Sequence, residues 1–381
     1  MRLLLKSTLL CFCVLVMLST VVLHGQTTPQ DDPVLTALMS HQYDLEGEGR
    51  RLLLTEAKEN DFFLLGELHG DNEIPALLRA LWPQMWKEGY RHVAAEISPW
   101  AANQLEAVPA GKGPEILGLW TKQEARDVHE LVSSATNVLW GCDMEEIQPQ
   151  FLIRELARLN PRDPTLKRMV ELTKDGYNRK MAPDFLALAS NSKAKRDAIV
   201  NDLSIRQNLL AALRIDKNRS SADTKMTAQN ERELLMKQQL LVHLRLHPGS
   251  RTTSKVLLRF GRNHLHRGYD ARGISTLGNF IAEFAAAHGQ RAFNVGAFGA
   301  GGTATLMGDT FDADERQDEL AFALLAQRAR YSATLYDLRP LRELLHSIPQ
   351  EKRSALQINL IYWADSYDAL ICYRNVTPLK P

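Results

Sequence analysis

The sequence predicts an α/β protein: a mostly parallel sheet with flanking helices and an all-helical insertion. Three observations carry this. Short apolar runs alternate with helical patterns between residues 62 and 143. From Gln148 to about residue 250 only helical periodicity remains. From Lys255 the alternation resumes and continues to the C-terminus. Strands separated by helices make βαβ units, whose crossovers favour parallel neighbours with helices on both faces.

Taken in order, "FFLLG" (62–66) reads as a short buried strand. "EIPALLRALWPQMWKEGY" (73–90) reads as a helix with Leu77, Leu78, Leu81 and Met85 on one face, kinked or split at Pro83. "HVAAEIS" (92–98) and "TNVLWGCD" (136–143) are strands. In the insertion (148–250), "QFLIRELARL", "DPTLKRMVELTKDGY", "KRDAIVNDLSIRQNLLAALRI" and "NERELLMKQQLLVHLRL" each carry an apolar helical stripe, and Pro248-Gly249 stops the last. "KVLLRFG" (255–261) is a strand, "TLGNFIAEFAAAHG" (276–289) a helix, "RAFNVGAFG" (291–299) a strand, "DELAFALLAQR" (318–328) a helix and "YDALICYR" (367–374) the last strand. The glycine-rich "GAFGAGGTATLMGD" (296–309) has neither the lysine of a P-loop nor dinucleotide-binding spacing, and is expected to be a flexible loop at a pocket rim.

The 381 residues, 45% of them apolar and 24% charged, are enough for a sizeable core and fit one α/β domain over residues 26–381. Residues 1–25 differ: Arg2 and Lys6 precede an apolar run from Leu9 to Leu18 and a more polar exit to Gly25, the build of a secretory signal peptide. Cleavage there gives a secreted or periplasmic protein that meets a membrane only if the segment stays uncleaved. Its loss takes two basic groups and no acids, moving the formal balance from +1 to −1. No basic surface for nucleic acid is indicated. Cys142 and Cys372 then remain, as one disulfide or as two buried thiols.

Chemistry-bearing residues follow the strands. "FFLLG" delivers Glu67 and His69, "HVAAE" delivers Glu96, "VLWGC" delivers Asp143, and "VLLRFG" delivers Arg262, Asn263, His264 and His266. In parallel α/β sheets the ligand crevice lies at the carboxyl ends of the strands, so one rim collects them. Buried carboxylates need partners, which arginine, histidine or a metal can supply. A carboxylate beside His69 holds the imidazole in one tautomer and makes it a general base for water, while Arg262 and His264 steady negative charge on the substrate. Alternatively Glu67, His69, Glu96, Asp143 and His264 bind a divalent metal. Glu73, Asp143, Asn263 and His266 are the further candidates for holding substrate. Neither Gly-x-Ser-x-Gly nor His-Glu-x-x-His occurs.

"LLGELHGDNE" resembles the opening motif of the erythromycin esterase and ChaN-like superfamily, which also takes in the Tiki/TraB group: a strand followed by Gly-Glu-x-His-Gly. "AAEIS" resembles its second acidic strand, "VLLRFGRNHLHRG" its later strand, and "YDALICYRNVTPL" its closing strand. The insertion carries none of the likeness. The resemblance implies an α/β core with an open crevice. It implies metal-free hydrolysis of an ester or lactone with His69 as base and Glu67 and Glu96 in support. Where the esterases read His-Asn-x-His, this chain has Arg262, Asn263 and His264, a departure from the macrolide-esterase pattern. Tiki-like relatives imply a metal-dependent peptidase instead, and ChaN-like relatives a haem carrier. The reading is an exported hydrolase of small-molecule or peptide substrates, with a periplasmic haem- or metal-binding protein as the alternative.

Overall fold

The protein is described here from a computed structural model covering residues 32–107, 116–117, 120–121, 137–145, 149–191, 200–219, 224–245, 255–306 and 309–379. The expected signal peptide (1–25) lies outside the described residues. Its strands are β1 (Gln42–Asp44), β2 (Phe62–Glu67), β3 (Tyr90–Ala95), β4 (Ile116–Leu117), β5 (Trp120–Thr121), β6 (Leu139–Gly141), β7 (Lys255–Gly261), β8 (Ala292–Leu306), β9 (Asp309–Asp314), β10 (Ala333–Asp337) and β11 (Ala369–Tyr373).

Nine of these form one sheet, ordered β1-β10-β11-β8-β2-β7-β3-β6, with β9 folded onto β8. From β11 to β6 every neighbouring pair is parallel. Antiparallel pairing is confined to β1 and β10 at one edge and to the β8–β9 hairpin. The continuous apolar runs follow from this. Phe63 and Leu65 of β2 enter the core on one face of the sheet, while Phe62 and Leu64 enter the core on the other. A parallel strand covered on both faces needs no polar alternation.

Between β6 and β7 the described residues contain no strand. They contain helices Pro149–Leu159, Pro164–Leu172, Ala182–Asn191, Val200–Arg219 and Lys225–Arg245. The first four build a small core of their own around Leu152, Leu156, Met169, Phe185 and Leu213. Helix 225–245 instead places Met236 and Leu240 in the core beneath the sheet. It is therefore the part of the insertion bound to the strand ends.

Two expectations are corrected and one open alternative is decided. Helix Glu73–Lys87 runs through Pro83 without splitting, with Ile74, Leu77, Leu78, Leu81, Trp82 and Met85 buried beside it. The apolar face that this helix buries outweighs the hydrogen bond that proline removes. The glycine-rich segment is not a flexible loop. β8 carries straight on through it to Leu306 and pairs with β9, a strand whose Asp- and Thr-rich sequence gives no apolar signal. Of the two alternatives for Cys142 and Cys372, the structure has two buried free thiols.

Candidate active site

Glu67 is the last residue of β2 and lies in register with Gly261, the last residue of β7. Glu96 follows the end of β3, the strand on the other side of β7. The three strand ends are thus neighbours, and residues distant in sequence meet at one rim. A cavity of about 320 Å³ opens there, lined among others by Glu67, His69, Glu96, Arg232, Arg262 and His264.

His69 is the most accessible of the ionisable groups in this cluster. Its Nδ1 lies 2.9 Å from Glu67 Oε1, and its Nε2 lies 3.5 Å from Glu96 Oε2, with a quarter of the side chain exposed. The first contact is a hydrogen bond and the second is too long for one, and the ring lines the cavity. Glu67 Oε2 accepts from Arg259 Nε at 2.5 Å. Burial raises the Glu67 carboxyl, but the Arg259 guanidinium and His69 outweigh it and hold the group below the usual carboxylate range. Burial works against a charged His69, yet Glu96 and Glu67 more than offset it and raise its proton affinity above that of an ordinary imidazole.

Glu96 organises the other half. Its Oε2 accepts the Gly261 N–H at 2.6 Å and its Oε1 accepts from Arg232 at 2.7 Å. Nε2 of His264 lies 3.4 Å from the same Oε1, and Nδ1 of His264 is hydrogen-bonded to Glu233. Burial disfavours the imidazolium, but Glu96 and Glu233 push the His264 pKa up to about 10. Burial likewise raises Glu96, and His264, His69 and Arg232 overcome it to hold that carboxylate well below its ordinary range. The charges explain both imidazoles. More carboxylates than guanidiniums surround the two rings, and the excess favours protons on them.

Gly261 is required by this packing. A Cβ there would lie 2.6 Å from His69 Nε2 and 3.2 Å from Glu96 Oε2. Gly70, with φ of +87°, lets the loop after His69 press against β8, where a Cβ would lie 2.4 Å from the Thr305 carbonyl oxygen. The Gly70 carbonyl accepts from the N–H groups of Thr305 and Leu379, both at 2.8 Å.

The remaining candidates are placed differently. The Arg262 guanidinium binds Glu315 at 2.6 Å and the Ala297 carbonyl at 2.5 Å, and lies over the rings of Phe322 and Trp363. Asn263 is exposed at the cavity. Asp143 is buried and paired with Arg232 rather than lining the cavity. His266 is buried among Tyr362, Trp363 and Tyr367, where burial and the Arg262 charge drop its pKa to about 3. Glu73 accepts from the Thr377 N–H and hydroxyl and fastens the C-terminal segment, outside the cavity. Among the described residues no group of three or more His, Cys, Asp or Glu side chains is arranged to hold a metal ion. Glu67, Glu96 and Asp143 each give an oxygen to a guanidinium, and the other oxygens of Glu67 and Glu96 meet the His69 ring and the Gly261 N–H.

Three site residues were not read from the sequence. Arg259 interrupts an apolar strand as Glu96 follows one, and the same reasoning reaches it. Arg232 sits four residues from Ala228 and from Met236, inside the buried stripe of its helix, while Leu234 and Val242 of that helix are exposed. A charge within the stripe and leucine outside it was the available signal for Arg232 and its neighbour Glu233.

No family model and no curated sequence matches the chain. Solved structures do. A succinoglycan biosynthesis protein aligns over 93% of this chain and 99% of its own, with a TM-score of 0.59 at 16% identity. A mutant of the erythromycin esterase EreC in its open conformation aligns over 87% of this chain and 94% of its own, with a TM-score of 0.58 at 14% identity. The fold is the erythromycin esterase fold. A Bacillus cereus protein shares it at a TM-score of 0.56, 13% identity and coverage of 91% of this chain and 97% of that one. The expected likeness to the erythromycin esterases thus stands at the level of fold.

Proposed function

We propose that the protein is a hydrolase that directs water at an ester, lactone or amide carbonyl of a small molecule or peptide. The observation that carries this is His69: one ring nitrogen is held by the buried Glu67 carboxylate, and the ring, a quarter exposed, lines a cavity. Glu67 accepts the Nδ1 proton and so leaves the Nε2 lone pair as the base. When Nε2 takes the proton of the attacking water, the imidazolium is stabilised by Glu67 on one side and Glu96 on the other. His264, held as a cation between Glu96 and Glu233, contributes positive potential where the carbonyl oxygen gains charge. The proton then passes from Nε2 to the leaving group as the tetrahedral intermediate collapses. Arg262 shapes the wall through its bonds to Glu315 and Ala297.

Export is part of the same proposal and rests on the basic start and apolar run of residues 1–18. Among the described residues no helix is long and apolar enough to cross a membrane. A panel of ester, lactone and amide substrates, assayed with the protein and with His69→Ala, tests the reading. Turnover that depends on His69 supports it, and equal rates for the two proteins remove it.

A further inference from the structure

Helix 225–245 belongs to the insertion, yet two consecutive residues of it, Arg232 and Glu233, end among the strand-end acids. Arg232 binds Glu96 at 2.7 Å and also pairs with Asp143, and so bridges two carboxylates that would otherwise repel. Glu233 has both oxygens committed. One meets His264 Nδ1, and the other accepts the Leu277 N–H at 2.9 Å, at the start of helix Leu277–Ala287. A carboxylate fixed at both ends fixes the ring it touches. Lys237, one turn further on, donates to the Ser275 carbonyl at 2.6 Å and pins the helix to the same segment.

We propose that Glu233 is a positioning residue for hydrolysis: anchored on Leu277, it sets the orientation of the His264 ring in the cavity, and this makes the helical insertion a working wall of the active site rather than added bulk. The inference rests on the hydrolase reading above. Around the His264 ring, Glu96 and Glu233 attract its proton and His69 repels it, Arg232 shares the Glu96 oxygen that faces the ring, and the buried His266 lies within its electrostatic reach.

Glu233→Gln separates positioning from simple packing. The amide keeps the volume but has one acceptor oxygen, and two donors, the Leu277 N–H and the His264 N–H, compete for it. The expected result is a kcat lowered by about a hundredfold, the scale of a misplaced catalytic group, with KM little changed. Glu233→Asp, which keeps the charge, restores part of that loss. An NMR titration of the His264 ring is the second readout and needs no substrate. Wild-type His264 holds its proton through neutral pH, and in Glu233→Gln the titration moves to lower pH. If Glu233→Gln folds and leaves kcat and the His264 titration as in wild type, the inference is overturned. If the titration moves but the wild-type protein hydrolyses nothing, the hydrolase reading falls while Glu233's hold on His264 stands.

Discussion

The loop after β2 and the turn after β7 each deliver one imidazole to the same cavity, and they treat it in opposite ways. His69 has one carboxylate at hydrogen-bond distance, a second beyond it, and a quarter of its side chain exposed. His264 is buried, with a carboxylate at each ring nitrogen. Both have a carboxylate near each ring nitrogen and gain proton affinity from it, but His69 keeps a quarter of its side chain exposed and His264 only 9%. On the proposed reading two histidines at one sheet edge are not two bases: His69 exchanges protons with what enters the cavity, and His264 holds its proton and supplies a fixed charge. The loop of His69 is tied by backbone hydrogen bonds to β8 and to the C-terminal segment, whereas His264 sits in a one-turn helix directly on β7.

The sharpest way to break this contrast is to remove the exchanging ring. His69→Ala is expected to lower kcat by roughly 10²–10⁴, the usual contribution of a general base, without loss of the folded state by circular dichroism. Gly261→Ala is next. Its methyl group must displace the His69 ring, and kcat is expected to fall about a hundredfold. A kcat near wild type would mean that the His69 ring is not held where the contacts put it.

The holding ring is tested by stability. The folded pKa of His264, about 10, lies above its ordinary 6.5, so its contribution is complete below pH 6.5 and is lost as pH rises through 10. Asp71, whose buried carboxyl is raised from 3.8 to about 8, acts with the same sign, and its share is already declining above 3.8 and gone beyond 8. Glu67 and Glu96 act oppositely: their contribution is present above 4.5 and lost as pH falls through their lowered values. The urea midpoint is thus expected to drop between pH 6.5 and 10, and to drop separately under acid below 4.5; a midpoint flat to pH 10 would contradict the burial of a charged His264. The smallest effect belongs to Glu73→Ala. It removes hydrogen bonds to Thr377, a loss of about 1 kcal/mol in urea unfolding, and loosens the His69 loop. KM is expected to be unchanged, because Glu73 does not line the cavity.

The strand ends were legible because burial on both faces leaves an apolar run that stops where the chemistry starts. Glu67, His69, Glu96 and His264 were all found that way, and one rim holds them. The same logic failed where a charge serves the site from inside an element. Arg259 lies within β7, and Arg232 and Glu233 lie on a helix whose periodicity reads as an ordinary apolar stripe. Asp143, Arg262 and His266 follow strands as expected, but their partners are decided by tertiary neighbours: Arg232, Glu315 and a cluster of aromatic rings. β9 was invisible for a related reason, since its sequence, DTFDAD, has almost no apolar content and is a strand only because β8 runs out to meet it.

The most direct test is the pH dependence of ester hydrolysis by the protein and by Glu67→Gln. Activity should rise with pH as His69 loses its proton, along a limb above the ordinary imidazole range of 6.5. Removing the Glu67 charge should move that limb to lower pH and lower its plateau, because a weaker base titrates earlier and works less well. A limb at the same pH in both proteins would contradict the assignment of His69 as the base held by Glu67.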